Sequence, residues 1–242
     1  MTGIQKTRPA ATVILLRPAQ PRGFEVFLIR RPMGMAFLGG MHCFPGGTVT
    51  KSDCSTAMLR SCYGLTPNQA RKILGAHFSP AEALGFWVAG IREIFEEVAI
   101  LFAVDPNGAT FVPDENGKIR LAGHHAALLE RSTNFQALLQ MENLMCDAAK
   151  LAYFSHWQTP AQFSLRFDMY FFVAALPDDQ TPLSTSPEVA HGRWLSPDLA
   201  LELFAKNDLP MIFPTFAALR TLADFDSLDS VAREYQIEPS AR

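Results

Sequence analysis

The chain has 242 residues, 48% of them hydrophobic, which is enough apolar material for one packed domain. It carries 21 lysines and arginines against 24 aspartates and glutamates, and no run of like charge marks a nucleic-acid or membrane surface. No apolar stretch approaches the roughly 20 residues of a membrane-spanning helix. The four cysteines show no C-x-x-C spacing and are too few for a disulfide framework. We therefore expect a single cytoplasmic domain over residues 1–242, with no membrane partner and with nucleic acid disfavoured as a ligand.

The predicted elements begin with two strands. β-branched and aromatic residues gather at 12–16 and 24–29, on either side of the turn-like sequence RPAQPRG. The first apolar run ends at Leu16 without a small-residue cleavage site, which indicates a strand and not a signal peptide. The next segment, RRPMGMAFLGGMHCFPGG, is rich in glycine and predicts an ordered loop without regular structure.

Helix formers dominate the middle of the chain. They run over 56–74 and 80–102, and Ser79 followed by proline is typical of an N-cap with proline in the first turn. Turn residues alternate with short apolar pairs over 105–121, and helical periodicity then resumes from 123 to 144.

The second half adds strands and further helices. The strongest strand signal lies at 163–176, and a shorter one lies at 192–195. Residues 200–235 are helical, with interruptions at two prolines. Strands with separated helices on one chain predict an α+β or α/β sandwich.

Three glutamates stand close together after residue 91. Glu93, Glu96 and Glu97 are spaced i, i+3 and i+4, so a helix places their carboxylates on one face. Adjacent anions repel unless a cation neutralises them, and grouped oxygen ligands suit hard divalent ions such as Mg²⁺ or Mn²⁺. Helix patterning alone favours an ordinary solvated acidic face. The glycines of Phe44-Pro45-Gly46-Gly47 expose peptide groups upstream and favour a metal or phosphate site.

These two segments together resemble the Nudix box, which reads glycine, five residues, glutamate, seven residues, then R-E-U-x-E-E-x-G-U, where U is aliphatic. Gly47 is followed by five residues and Asp53, and the sequence from Arg92 onward supplies the second half. Asp53 stands for the glutamate, Ala99 stands for the glycine, and the 38 residues 54–91 replace seven. Such an interrupted box resembles the nudix-19-like (RP2-like) subgroup, which contains the peroxisomal coenzyme A diphosphatases.

The resemblance continues downstream. The sequences HWQTP at 156–160 and RFDMYFF at 166–172 resemble the W-x-T-P and R-F-D-T-x-F-F segments of that subgroup, so the likeness covers about residues 10–220. It implies a Nudix α/β/α sandwich with a mixed sheet. We expect a helical insertion at about 54–85 and an irregular, partly helical one at about 105–150, and we expect residues 54–91 and 105–150 to determine substrate specificity. The sequence leaves open whether the insertion forms a homodimer interface or a substrate lid.

The resemblance also implies a metal site. Glu93, Glu96 and Glu97 would hold Mg²⁺ or Mn²⁺, with the Gly46 carbonyl as an additional ligand. Arg92 would orient the glutamates by pairing across the helix turn.

The reaction implied is the attack of water on phosphorus in the diphosphate linkage of a small nucleotide-derived substrate, with coenzyme A or an acyl-CoA as the favoured one. Two proton acceptors are open, Glu93 and Glu188, and the latter lies in the sequence SPEVAHG. We expect Arg92, Glu93, Glu97 and Glu188 to carry the catalysis.

The same motif is compatible with other functions. A non-catalytic Nudix module that binds a nucleotide metabolite is disfavoured because Arg92 and all three glutamates are present. Hydrolysis of a dinucleotide, a nucleotide sugar or a metabolite-capped RNA uses the same chemistry, and the absence of a basic stripe disfavours RNA. His124 and His125 lack a second cluster with metal-ligand spacing, so we predict hydrogen-bonded polar histidines and no zinc site.

Overall fold

A computed structural model describes residues 7–20, 23–35 and 38–237 of the chain. Part of the predicted first turn, 21–22, and part of the predicted glycine loop, 36–37, lie outside the described residues. The main sheet comprises β1 (Arg8–Pro18), β2 (Phe24–Arg30), β3 (His42–Cys43), β4 (Gly46–Thr48), β8 (Ala152–Gln158), β9 (Phe167–Ala175) and β10 (His191–Leu195). A small second sheet comprises β5 (Cys62–Tyr63), β6 (Ala103–Val104) and β7 (Met145–Asp147).

The helices are α1 (Thr56–Arg60), α2 (Pro67–Leu74), α3 (Pro80–Val98), α4 (Glu115–Leu129), α5 (Phe135–Met141), α6 (Pro197–Ala205), α7 (Phe213–Leu222) and α8 (Leu228–Tyr235). Within the described ranges, no helix has the length and apolar character needed to cross a membrane.

β1 lies at the centre of the main sheet, whose strand order is β10-β2-β1-β9-β8. It runs parallel to β9, from Arg8 opposite Phe167 to Leu16 opposite Ala175, and antiparallel to β2 and β4. The sheet is therefore mixed, as the resemblance implied.

The two faces of the sheet pack against different helices. Val13 and Leu15 belong to the apolar cluster that contains α3, whereas Ile14 and Leu16 belong to the cluster that contains α7 and α8. A strand that is buried on both faces needs apolar residues at every position, which explains the unbroken apolar run of β1. The resulting helix–sheet–helix layering confirms the predicted fold class.

The chain between Asp53 and α3 packs beside the chain that follows α3. It forms α1, β5 and α2, and β5 pairs in parallel with β7 so that Cys62 lies opposite Cys146. β6 completes the small sheet by pairing antiparallel with β7, with Ala103 opposite Cys146. The small sheet therefore joins segments that lie before and after the acidic helix.

The predicted helix over 56–74 was wrong in its middle. Gly64 has a φ of 78°, and a Cβ there would lie 2.6 Å from the Cβ of Ala149, so the chain turns at this glycine. A new helix then begins after Thr66, whose side chain accepts from the Gln69 N–H in a capping box.

Three further boundaries differ from the prediction. α3 ends at Val98 and not at 102, because Ala99 turns into the left-handed region and the chain continues into β6. α4 begins at Glu115 and not at 123, because the Asp114 side chain accepts from the Gly117 N–H. α4 and α5 are separated by residues 130–134, where Arg131 has a φ of 58°.

The glycine-rich segment contains regular structure that was not predicted. β3 pairs with β2 and β4 pairs with β1, with Gly47 opposite Ala11. The strand predicted at 163–176 begins at Phe167, and β8 before it was not predicted.

Candidate active site

α3 is fixed firmly before its acidic end. Ser79 and Glu82 form a capping box at its start, and the indole N–H of Trp87 donates to the Leu151 carbonyl at 2.8 Å. Gly90 allows close packing, because a Cβ there would lie 3.1 Å from a Leu151 methyl and 3.2 Å from a Val13 methyl. The last turns of the helix, and with them the glutamates, are therefore held against the sheet.

β4 contacts two of the three glutamates directly. The Gly46 N–H donates to Oε2 of Glu97 at 2.8 Å. A Cβ on Gly47 would lie 2.4 Å from the carboxyl carbon of Glu93, so a side chain at this position would displace that carboxylate. The glycine pair is thus required for the backbone to approach the acidic helix this closely.

Arg92 connects the acidic residues. Its guanidinium donates to both carboxylate oxygens of Asp53, at 2.9 and 3.0 Å, and to the Thr48 carbonyl at 2.9 Å. Nη1 also donates to Glu93 at 2.8 Å and to Glu96 at 3.1 Å. The groups that bond to the Arg92 guanidinium are all acceptors, and its planar bidentate pairing with Asp53 fixes its orientation. Arg92 therefore orients two of the glutamates.

Asp53 is buried, with 2% of its side chain exposed. It also accepts from the N–H and the hydroxyl of Thr50, at 2.7 and 2.8 Å. Burial lowers the pKa of Arg92, but the hydrogen bond to Asp53 and the negative charge of Glu93 raise it above its ordinary value. Asp53 holds Arg92 in place, and its position was indicated beforehand by the resemblance to the box glutamate alone.

The glutamates are crowded and incompletely neutralised. Burial raises the pKa of Glu93, the charge of Arg92 lowers it and the charge of Glu96 raises it, and the net result is a pKa of about 7. Burial also raises the pKa of Glu96. Burial and the charge of Glu93 raise the pKa of Glu97 well above its ordinary value. Arginine alone does not compensate this concentration of negative charge.

Glu188 and Arg31 complete the charged group. Glu188 is exposed on the loop before β10, and its charge raises the pKa of Glu96 and Glu97, so the fold brings it to the acidic helix from the far end of the chain. Nη1 of Arg31 lies 4.0 Å from Oε1 of Glu97.

A cleft of about 910 Å³ opens above these residues. One wall is the sheet and the N-terminal part of α7, and it contributes Phe167, Met169, Phe171, Ile212 and Thr215. The opposite wall is the α4–α5 segment (residues 115–141), and it contributes Leu128, Leu129, Arg131, Thr133, Asn134, Phe135 and Gln136. The volume suits a nucleotide-sized ligand.

Sequence reasoning expected the 105–150 segment to determine specificity, but it did not identify which residues of the α4–α5 wall line the cleft. The residues of this wall belong to a segment without a motif, and their relation to the glutamates depends on how α4 packs. The imidazole of His125 contacts the Glu96 carbonyl through Nε2 at 2.9 Å, and the imidazole of His124 pairs with Glu142 at 2.9 Å. Both histidines are hydrogen-bonded, as predicted.

Residues 7–222 match the family described as the NUDT19 Nudix domain. The chain belongs to this family. It is 28% identical to the acyl-coenzyme A diphosphatase NUDT19 of Gallus gallus, over 93% of this chain and 70% of that protein. It is 25% identical to the protein of the same name from Homo sapiens, over 93% of this chain and 67% of that protein. The chain is thus a Nudix hydrolase.

A solved structure supports the same fold. The Nudix hydrolase from Alicyclobacillus acidocaldarius superposes with a TM-score of 0.73 at 24% identity, covering 98% of this chain and 99% of that one. The Nudix fold of this chain therefore extends over nearly its full length.

Proposed function

We propose that this Nudix hydrolase cleaves the diphosphate linkage of coenzyme A or an acyl-CoA in a reaction that depends on a divalent ion. The observation that carries the proposal is the set of crowded carboxylates, Glu93, Glu96 and Glu97, beneath a cleft of nucleotide size. The names of the two relatives support the substrate class.

The donor chemistry of the cluster fits Mg²⁺ or Mn²⁺. Both ions prefer carboxylate and carbonyl oxygen, and the raised pKa values of Glu93, Glu96 and Glu97 mark a place where added positive charge is favourable. In the described part of the chain, no group of three acidic, histidine or cysteine side chains is already arranged to hold a metal. The carboxylates instead bond to Arg92 and to the Gly46 N–H, and these bonds would be exchanged on metal binding.

We assign the ligand role to Glu93, Glu96 and Glu97, with the Gly46 carbonyl as an additional ligand. Bound there, a divalent ion supplies polarisation of the phosphoryl oxygens and compensation of charge on the departing phosphate. Arg92 keeps the glutamates oriented through its bonds to Asp53.

The proton of the attacking water passes to a carboxylate. Glu188 is our candidate, because it lines the cleft, is exposed to solvent and belongs to a loop outside the acidic helix. Glu93 is the alternative acceptor, although its carboxylate already bonds to Arg92.

The test is product analysis with the full chain. Coenzyme A is incubated with Mg²⁺, with Mn²⁺ or with a chelator, beside dinucleotides, nucleotide sugars and a metabolite-capped RNA. Release of 4′-phosphopantetheine and adenosine 3′,5′-bisphosphate that requires the ion supports the proposal. Cleavage of another panel member with coenzyme A intact contradicts the substrate, and tight binding without cleavage of any member contradicts catalysis.

We also infer a reducing compartment such as the cytoplasm, because Cys43, Cys54, Cys62 and Cys146 are all free thiols. A homodimer remains a prediction, and light scattering of the purified chain tests it.

A further inference from the structure

The α4–α5 segment places a cation in the cleft that the proposed reaction does not use. Arg131 follows the last turn of α4 and lines the cleft together with Thr133, Asn134 and Gln136. This part of the wall is polar, whereas the wall across the cleft is formed by residues such as Phe167 and Met169. The two walls of the cleft therefore suit different parts of a ligand.

Three arginines are found among the described residues that line the cleft, and two of them are paired with carboxylates. Arg92 bonds to Asp53, Glu93 and Glu96. Arg31 lies 4.0 Å from Glu97. The third, Arg131, has no ion pair or side-chain hydrogen bond with another described residue, and its side chain is exposed. An unpaired guanidinium in a cleft is a ready site for an anion.

The backbone of Arg131 is held in an uncommon conformation. Its φ is 58°, in the left-handed region that favours glycine, and its N–H donates to the Leu128 carbonyl at 2.9 Å. Glycine and asparagine adopt this backbone conformation at a lower free-energy cost than arginine does. A left-handed residue at a helix C-terminus is a common helix ending, at Arg131 as at Ala99, and it fixes where α4 stops.

The α4–α5 segment packs against α3, the helix that carries the glutamates, and a hydrogen bond joins the two. The His125 imidazole contacts the Glu96 carbonyl at 2.9 Å. Arg131 lies six residues further on, just beyond the end of α4 at Leu129. Arg131 lines the cleft from the α4–α5 segment and the glutamates line it from α3, so the two would contact different groups of one ligand.

We propose that Arg131 binds a phosphate monoester that the substrate carries in addition to its diphosphate. This inference rests on the proposed function, because in coenzyme A that group is the 3′-phosphate of the ribose. Thr133 and Gln136 line the same wall of the cleft and add polar side chains to it. Arg131 is accordingly a specificity-determining residue.

The experiment compares coenzyme A with 3′-dephospho-coenzyme A in the wild-type chain and in Arg131→Gln. Loss of a hydrogen bond to a charged group raises KM for coenzyme A by roughly 10- to 100-fold, with kcat unchanged, whereas KM for the dephospho compound stays the same. Arg131→Lys restores part of the loss, since it keeps the charge without the planar fork. Arg60→Gln is the matched control, because Arg60 is exposed on α1 and does not line the cleft.

Binding measurements separate this inference from the proposed function. Adenosine 3′,5′-bisphosphate and AMP are titrated into both proteins by calorimetry, which requires no turnover. At least tenfold tighter binding of the bisphosphate by the wild type, and its loss in Arg131→Gln, supports the inference even where coenzyme A is not cleaved. Equal losses for the two substrates, or equal affinities of the wild type for the two nucleotides, overturn it.

Discussion

Ala99 ends α3 at the place where the Nudix box has glycine. Its φ and ψ are 59° and 27°, and its N–H donates to the Phe95 carbonyl at 2.9 Å. A left-handed conformation costs a residue with a Cβ about 1–2 kcal/mol, and part of the gain from glycine is offset by the entropy of the unfolded chain. We expect Ala99→Gly to raise the free energy of unfolding by about 0.5–1 kcal/mol.

Denaturant titration of wild type and Ala99→Gly measures this difference. The control is Ala89→Gly, in the buried interior of the same helix, which loses about 1 kcal/mol because glycine is a poor helix former and a further amount because a buried methyl group is removed. Equal destabilisation by both substitutions would contradict the strain at Ala99.

Glu188 is the residue whose assigned role is easiest to separate from folding. It is exposed on a loop, so Glu188→Gln leaves the melting temperature unchanged. Loss of a proton acceptor lowers kcat by roughly 100-fold or more, with little change in KM. Steady-state kinetics with coenzyme A checks this, and full retained kcat moves the role to Glu93.

At the scale of single residues, the spacing of the glutamates in the sequence was enough to predict that they share one face of a helix. Glu93, Glu96 and Glu97 were identified because their geometry depends on the helix alone. The bond between Asp53 and Arg92 spans 39 residues, so its prediction relied on the resemblance to the box. Arg131 was not singled out, because nothing in its local sequence distinguishes it from a surface arginine.

At the scale of elements, the α4–α5 segment depends on a charged contact between its two helices. Arg120 donates to both carboxylate oxygens of Glu142, at distances from 3.0 to 3.1 Å, and the His124 imidazole contacts the same carboxylate. The bond to Arg120 lowers the pKa of Glu142 below its ordinary value of 4.5, against the opposing effect of burial. A carboxylate of lowered pKa stabilises the fold above its unfolded pKa.

This stabilisation is lost as the pH falls through the lowered folded-state pKa of Glu142. We expect Glu142→Gln to lower the melting temperature by about 2 °C at pH 7, and we expect this difference to shrink as the pH falls below the ordinary carboxyl pKa of 4.5. Thermal unfolding of both proteins between pH 3 and pH 7 measures the effect, and a constant difference across that range would contradict it.

Element types were predictable where the pattern was strong and isolated. β1 and β2 satisfy a regular apolar pattern, and the start of α3 has its capping residues in the sequence. The small sheet was missed, because strands of two or three residues have no period and form only when distant segments meet. β4 was read as loop, because its glycines carry no strand propensity and its pairing with β1 is a tertiary effect.

At the scale of the whole molecule, metal binding should stabilise the fold, because the crowded carboxylates oppose folding until they are neutralised. A free ion at ten times its Kd contributes about 1.4 kcal/mol, which raises the melting temperature of a chain of this size by about 4 °C. Glu97→Gln should reduce this shift. Thermal unfolding with Mg²⁺ and with chelator tests it, and an equal shift in wild type and variant would remove Glu97 from the metal site.

The cleft is the feature that is hardest to predict from the sequence. It is formed by β4, α3, the α4–α5 segment, β9 and the loop that carries Glu188, which meet only in the folded chain. Composition and periodicity restrict the fold class, but the side chains that face one another across a cleft follow from packing between distant elements. The resemblance to the family predicted the reaction, whereas the residues of the α4–α5 wall were identified only from the fold.

The measurement that tests the central claim most directly is the turnover of coenzyme A by Glu97→Gln beside the wild type, with Mg²⁺ and with chelator. Glutamine keeps an oxygen for the Gly46 N–H and so preserves the fold, whereas the negative charge is lost. Glu234→Gln, an exposed glutamate on α8, is the control. We predict ion-dependent cleavage by the wild type and the control, and at least 100-fold less by Glu97→Gln with an unchanged circular dichroism spectrum. Wild-type turnover that survives the chelator, or full activity of Glu97→Gln, would contradict the account.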